Sequence, residues 1–77
     1  TWDPATARLY FTAFGKPREN TQILRLDAPG KVTVWMDRTG GINGTHLSRD
    51  GRLLAAQAWD HNLYSMRIGR DGPEDIR

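Results

Sequence analysis

The stretch Asp27-Ala28-Pro29-Gly30-Lys31-Val32-Thr33-Val34-Trp35-Met36 decides the fold. Pro29 presets φ for the first central position of a reverse turn, and Gly30 supplies the positive φ that a type II turn needs at the second. From Lys31 the chain alternates with the period of a strand: Val32, Val34 and Met36 fall on one face, Lys31, Thr33 and Trp35 on the other. Ahead of the turn, Thr21-Gln22-Ile23-Leu24-Arg25-Leu26 supplies a partner strand, so the segment reads as a hairpin.

The same grammar extends in both directions. Leu9-Tyr10-Phe11-Thr12-Ala13 reads as a buried strand, separated from the hairpin by Gly15-Lys16-Pro17-Arg18-Glu19-Asn20, which is turn-forming or charged throughout. Residues Asp37 to Gly44 read as a polar loop holding three glycines. Beyond it come a short inner strand at Thr45-His46-Leu47, a turn at Ser48-Arg49-Asp50-Gly51, and a strand from Arg52 to Gln57. A further strand, Asn62 to Ile68, places Tyr64, Met66 and Ile68 on one face and ends in the turn Gly69 to Gly72. No apolar run continues at helical spacing for the ten or more residues a helix needs, so the fold class is all-β.

The two halves can be laid over each other. Leu9-Tyr10 precedes Leu53-Leu54 by 44 residues, Arg25-Leu26 precedes Arg67-Ile68 by 42, and Gly30 precedes Gly72 by 42. Repeats of roughly 40 to 50 residues holding several short strands are the signature of β-propeller blades. The expected organisation is therefore two blade-like repeats, 1–38 and 39–77, each a four-stranded antiparallel sheet, with two hairpins of similar length as the plainer alternative.

Composition narrows the function classes. Leu, Ile, Val and Phe make up just under a fifth of the 77 residues, a thin supply for an independent core. There is no cysteine, which excludes a disulfide, a thiolate zinc site and a thiol nucleophile within these residues. The net charge of +2 comes from eleven basic and nine acidic residues interspersed along the chain, with no basic run, so neither nucleic acid nor a membrane surface is an expected partner. No stretch approaches the roughly 18 to 20 apolar residues of a spanning helix, and no basic-then-apolar leader is visible. Cytoplasmic, periplasmic and secreted locations all stay open.

Taken in order, Trp2-Asp3-Pro4, Leu9-Tyr10-Phe11-Thr12, Ile23-Leu24-Arg25-Leu26-Asp27, Gly30-Lys31-Val32, Gly40-Gly41-Ile42-Asn43-Gly44 and Asp50-Gly51-Arg52-Leu53-Leu54-Ala55 resemble the senescence-marker-protein/gluconolactonase/regucalcin family of six-bladed propellers. The resemblance runs over nearly the whole chain. A six-bladed ring at this period needs about 260 residues, so it implies about two of six blades, the remaining blades belonging to the same chain. It also implies a divalent cation, Ca²⁺ first and Mg²⁺, Mn²⁺ or Zn²⁺ as alternatives, held by oxygen ligands at the channel mouth and acting as a Lewis acid on a sugar lactone or related ester. By the same resemblance the acidic ligand falls just upstream of Thr1 and further Asn and Asp ligands fall beyond Arg77. Two departures stand out: Ala13 and the segment Ala55 to His61 occupy positions where relatives carry acidic, histidine or glycine-rich residues.

Within the chain, the resemblance implies that Asn43 lies at the channel mouth, and in an alternative blade register it becomes a direct metal ligand. Asn43-Gly44 also reads as a simple turn, because both residues tolerate positive φ. His46, in the expected inner strand, is a candidate substrate contact or a structural histidine. His61, between Asp60 and Asn62, reads as a surface turn residue. Only two histidines exist, so a histidine-based metal site is not expected. Trp35 and Trp59 read as packing residues between blades, and Asp27, Asp50 and Asp71 as acceptors of local backbone hydrogen bonds in their turns. Two alternatives to the hydrolase remain: a binding platform built on a propeller that has lost its metal ligands, and an unrelated small β-domain.

Overall fold

The computed structural model describes residues 1–14 and 21–77. Eight strands follow in chain order: β1 (Trp2–Asp3), β2 (Arg8–Ala13), β3 (Gln22–Ala28), β4 (Lys31–Met36), β5 (Ile42–Leu47), β6 (Arg52–Gln57), β7 (Asn62–Ile68) and β8 (Pro73–Glu74). They form two four-stranded antiparallel sheets, β1-β2-β3-β4 and β5-β6-β7-β8, in which every strand pairs with its chain neighbour. The fold is all-β, with no helix among the described residues. The expected connector from Gly15 to Asn20 lies outside the described residues.

Local chemistry explains most of the element boundaries. Ala28 pairs with Lys31 across the two-residue turn Pro29-Gly30, and Gly30 takes φ +76°, as a type II turn requires. The strands expected over 31–36, 52–57 and 62–68 occupy those residues. Two expectations are corrected. Met36, expected on the face of Val32 and Val34, lies opposite Ile23 on the other face, because a bulge at Trp35 shifts the register. The strand expected at Thr45 to Leu47 begins at Ile42, because Ile42 is fully buried and the chain must already be extended to pair it with Gln57.

Cross-strand register assigns the faces. In the first sheet Tyr10 lies opposite Arg25 and Arg25 opposite Thr33, while Thr12 lies opposite Ile23 and Ile23 opposite Met36. That face turns toward the second sheet, with Tyr10 and Ile23 buried. The opposite face carries Trp2, Leu9, Phe11, Leu24, Leu26, Val32 and Val34, because Trp2 pairs with Leu9, Leu9 with Leu26, Leu26 with Val32, Phe11 with Leu24 and Leu24 with Val34. In the second sheet the inward face holds Leu53, Ala55 and Met66, all buried, and the outward face holds His46, Leu54, Ala56 and Leu63.

The core lies between the sheets. Tyr10, Ile23 and Trp35 come from the first, and Ile42, Leu53, Ala55 and Met66 from the second, with Met36, Tyr64 and Ile68 packed at the margin. Trp35 is 3% exposed, meets the Tyr10 ring edge-on at 5.2 Å, and donates its indole N–H to the Gly69 carbonyl of the other sheet at 2.9 Å. It fills the space between the sheets, as its reading as a packing residue implied. The first strands of the two sheets are also joined, since Thr1 Oγ1 donates to the Thr45 carbonyl at 2.9 Å while Thr1 exchanges backbone bonds with Tyr10.

The internal repeat needs a change of register. Leu9 and Leu53 are equivalent, but their partners on the next strand are Leu26 and Met66, not Leu26 and Ile68. Aligning Gly30 with Gly72 hides this shift, because two residues close the turn after β3 whereas Gly69 to Gly72 close the one after β7.

Two substitutions at Trp35 separate its contributions. Trp35→Phe keeps the ring contact but strands the Gly69 carbonyl, and is expected to cost about 1 to 2 kcal/mol. Trp35→Ala opens the gap between the sheets at about 3 to 5 kcal/mol. Urea-unfolding midpoints check both; equal losses would show that the hydrogen bond carries the whole effect.

Candidate functional site

The segment joining the sheets, residues 37–41, is held by a buried polar clasp. The Thr21 and Thr39 hydroxyls hydrogen-bond to each other at 2.8 Å, and the Thr39 N–H donates to the Thr21 carbonyl at 3.0 Å. Thr21 Oγ1 then accepts the Gly41 N–H and Thr39 Oγ1 the Ile42 N–H. From the second sheet, Gln57 Nε2 donates to the Thr39 carbonyl at 2.9 Å, while Gln57 Oε1 accepts from Asn62 Nδ2 at 2.9 Å. Every buried polar side-chain atom among the described residues has a partner, which is what makes such a network tolerable in a low-dielectric interior.

The clasp requires two glycines. Gly40 and Gly41 take φ +73° and +93°, and a Cβ on either would sit 2.3 Å from Gln57 Nε2 or from the Trp59 ring respectively. Trp59 therefore covers the Gly41 backbone. Its ring also faces Phe14 at a centroid distance of 6.5 Å and a tilt of 31°, and Phe14 is exposed.

Asn43 follows directly. Ile42 pairs with Gln57 and Gly44 with Ala56, so Asn43 is the extra residue of a β-bulge at the start of β5. Neither Asn43 nor Gly44 has positive φ; in this part of the chain Arg38, Gly40 and Gly41 do. The reading of Asn43-Gly44 as a turn is thus corrected: the turning is done two to three residues earlier. Asn43 is exposed at the clasp end of the sheets.

His46 stands three residues further along β5 on the outward face, also exposed, opposite Leu54. It lines a shallow apolar groove of about 310 Å³ with Gly44, Leu54, Ala56 and Leu63, of which Asn43 is not part. The two candidates share a strand but not a pocket. His61 is an exposed turn residue at φ +59°.

At the other end of the strands lies a larger cleft, about 510 Å³, lined by Arg8, Tyr10, Arg25, Asp27, Lys31 and, from the second sheet, Ile68 and Arg70. Asp27 is its centre. It accepts from Arg8 Nε at 3.1 Å, from Arg25 Nε at 2.6 Å and from the Thr33 hydroxyl, and Arg25 Nη1 reaches on to the Arg70 carbonyl at 2.6 Å. This corrects the reading of Asp27 as a local backbone acceptor: a bulge between Leu26 and Ala28 makes it the extra residue, and it collects side chains from three strands. The local capping role belongs instead to Asp3, which takes the Ala5 N–H and the Thr6 hydroxyl. The Arg8-Arg25-Asp27 cluster was not singled out in the sequence, although the hairpin register already brings these charges together.

The second sheet solves the equivalent position differently. Arg52, the counterpart of Arg8, donates to Ser65 and to Asp75, whose carboxylate also receives Arg77. Asp50 takes the Ser48 hydroxyl.

Among the described residues no group of three or more His, Cys, Asp or Glu is placed to hold a metal ion. Asn43 contributes one amide oxygen, where a hard cation such as Ca²⁺ takes six to eight oxygen ligands. The described residues do not by themselves make a cation site. In comparison with known proteins, no family model, no curated protein and no solved structure matches the chain.

Two outcomes follow. Gly41→Ala forces both a strained φ and a collision with Trp59, so it is expected to destabilise the chain by at least about 1 to 2 kcal/mol, read as a fall in melting temperature; a neutral result would show that the clasp yields easily. The pKa of Asp27 is lowered from 3.8, first by the Thr33 hydroxyl and then by Arg25, with Asp50 lowered by Ser48 and Asp75 by Arg52. Because these folded-state values are depressed, the stability they confer is present above the unfolded pKa and is lost as pH falls through the folded one. Stability should drop below pH 3.8, and Asp27→Asn should flatten that slope in urea titrations taken from about pH 5 to about pH 2.

Proposed function

We propose that the chain forms two neighbouring blades of a gluconolactonase-like β-propeller that hydrolyses a sugar lactone or related ester with the help of a divalent cation. The observation that carries this reading is the stacking of two successive four-stranded meanders with their first strands joined, Thr1 to Thr45. In a propeller the first strand of each blade lines the central channel. The start of β5 is then the channel mouth, and Asn43 is the residue this chain presents there.

The cation, when bound, supplies Lewis-acid activation of the lactone carbonyl. Its carboxylate ligands are assigned by the resemblance to other segments, so no hydrolytic step is derived from these residues. Their part is positional. The Thr21-Thr39-Gln57 clasp fixes the approach of the chain to β5, and the bulge sets Asn43 apart from the ladder. A second reading, a propeller that binds without catalysis, is favoured by the Phe14 and Trp59 rings at the same end, which offer an apolar surface for a stacked ligand.

The test is calcium titration and lactone turnover of the complete propeller, with Asn43→Ala as the variant. The hydrolase reading expects calcium-dependent turnover, and a loss of about tenfold in calcium affinity or kcat/KM in the variant if Asn43 touches cation or substrate. Turnover with an unaffected variant would assign Asn43 to the rim alone. Neither calcium binding nor turnover would leave the binding platform.

A further inference from the structure

We propose that this chain associates with copies of itself head to tail, the outward face of the first sheet in one copy packing on the outward face of the second sheet in the next. The repeat carries the argument. Leu9 and Phe11 on the outward face of β2 are equivalent to Leu53 and Ala55, which are buried between the sheets. Leu54 on the outward face of β6 is equivalent to Tyr10, buried on the other side of that same contact. Each outward face therefore repeats one side of the interface the molecule already makes, and the two are complementary to each other rather than each to itself. The new contact continues an existing one.

Exposure and shape agree. Val32, Val34 and Trp2 are 51%, 49% and 57% exposed on the first outward face, and Leu63 is 72% exposed on the second. No charged side chain interrupts the row from Trp2 through Leu9 and Leu26 to Val32. Trp2, equivalent by register to Leu47, stands out from one face, and the groove lined by His46, Leu54, Ala56 and Leu63 is the receiving feature on the other. A face four strands wide and about six residues long covers roughly 400 Å² before side-chain relief. One such face is small against the roughly 800 Å² per partner of a stable contact, but a copy engaged on both sides commits about twice as much. Unlike faces meeting by one repeated rotation give a closed ring or an open chain of copies. The propeller reading puts further blades of the same chain on these two faces; this inference puts copies there instead, and the mass of the chain decides between them.

Light scattering coupled to size exclusion tests it on the 77-residue chain, with Val34→Lys and Leu63→Lys as variants. The wild type is expected to exceed its monomer mass of 8.7 kDa. Each variant alone should return to the monomer, since each has lost one of two unlike faces. Mixing the two variants should restore a one-to-one pair, formed by the intact second face of Val34→Lys and the intact first face of Leu63→Lys. A monomeric wild type overturns the proposal. So does a Leu63→Lys variant that still associates, because like faces would then be meeting. Near-ultraviolet dichroism from the buried Trp35 reports folding of each variant, and Val32→Lys with Ala56→Lys repeats the experiment on the same faces if either first variant loses that signal.

Discussion

The packing of Trp35 between two sheets is the contact on which the rest of the structure depends. Its ring spans the gap, its edge-on partner Tyr10 comes from its own sheet, and its only polar atom is satisfied by a carbonyl of the other. Aromatic pairs of this geometry add about 0.5 to 1.5 kcal/mol beyond burial. The position of the accepting carbonyl matters as much. Gly69 belongs to the turn after β7, far from the connector, and Arg25 holds the adjacent Arg70 carbonyl. With the Thr21-Thr39-Gln57 clasp at the opposite end, the sheets are tied at both ends of their strands. Apolar contact alone, being non-directional, would let them slide.

Three of the residues that do something other than fill the ladder lie at bulges. Asp27 sits between Leu26 and Ala28, Trp35 between Val34 and Met36, and Asn43 between Ile42 and Gly44. A bulge releases one residue from strict pairing and re-aims its side chain. At Asp27 this gathers two guanidinium groups and a hydroxyl on one carboxylate. At Trp35 it seats a large ring where a regular strand position offers less room. At Asn43 it leaves an amide exposed at the end of a strand whose neighbours Ile42 and Thr45 are tied to the core and to Thr1.

These bulges also mark where the sequence stops being legible. Strands β6 and β7 are legible residue for residue because period-2 alternation is a local signal, as is the Pro29-Gly30 turn. Strand β4 keeps its expected bounds, but the bulge at Trp35 carries Met36 off the face of Val32 and Val34 and sets it opposite Ile23. The start of β5 is not legible, since Ile42-Asn43-Gly44 follows two glycines and resembles more loop; only the burial of Ile42 against Gln57, fifteen residues away, makes it a strand. Asp27 departs from its turn reading for a similar reason. Its turn position proposes a backbone acceptor, but Arg8 on the neighbouring strand outcompetes that role once the sheet forms. The equivalence of Arg25 with Arg67 fails because eight residues separate Ala13 from Gln22 where four separate Gln57 from Asn62, so the offset of 44 at Leu9 falls to 40 at Leu26. For the candidate site, Asn43 reads as part of the loop or turn ahead of a strand at Thr45, and both its place within β5 and the separation of His46 onto the outward face depend on where the bulge falls.

The leucines give the pattern its sharpest meaning. Only Leu53 is fully buried, while Leu9, Leu24, Leu26, Leu54 and Leu63 lie on outward faces together with both valines. A two-layer sandwich that answered only to its own interior would place these side chains between the layers and polar ones outside, as alternating strands with one wet face do. Here the inward positions hold Ile23, Ile42 and Leu53 with Tyr10, Trp35, Met66 and Ala55, while most of the leucines and both valines point away. The thin aliphatic supply is therefore also a matter of placement, with Ile23 and Ile42 assigned to the interior and most of the leucines and both valines to the two faces that the sheets do not cover for each other. Sheets patterned this way are built to be covered on both sides.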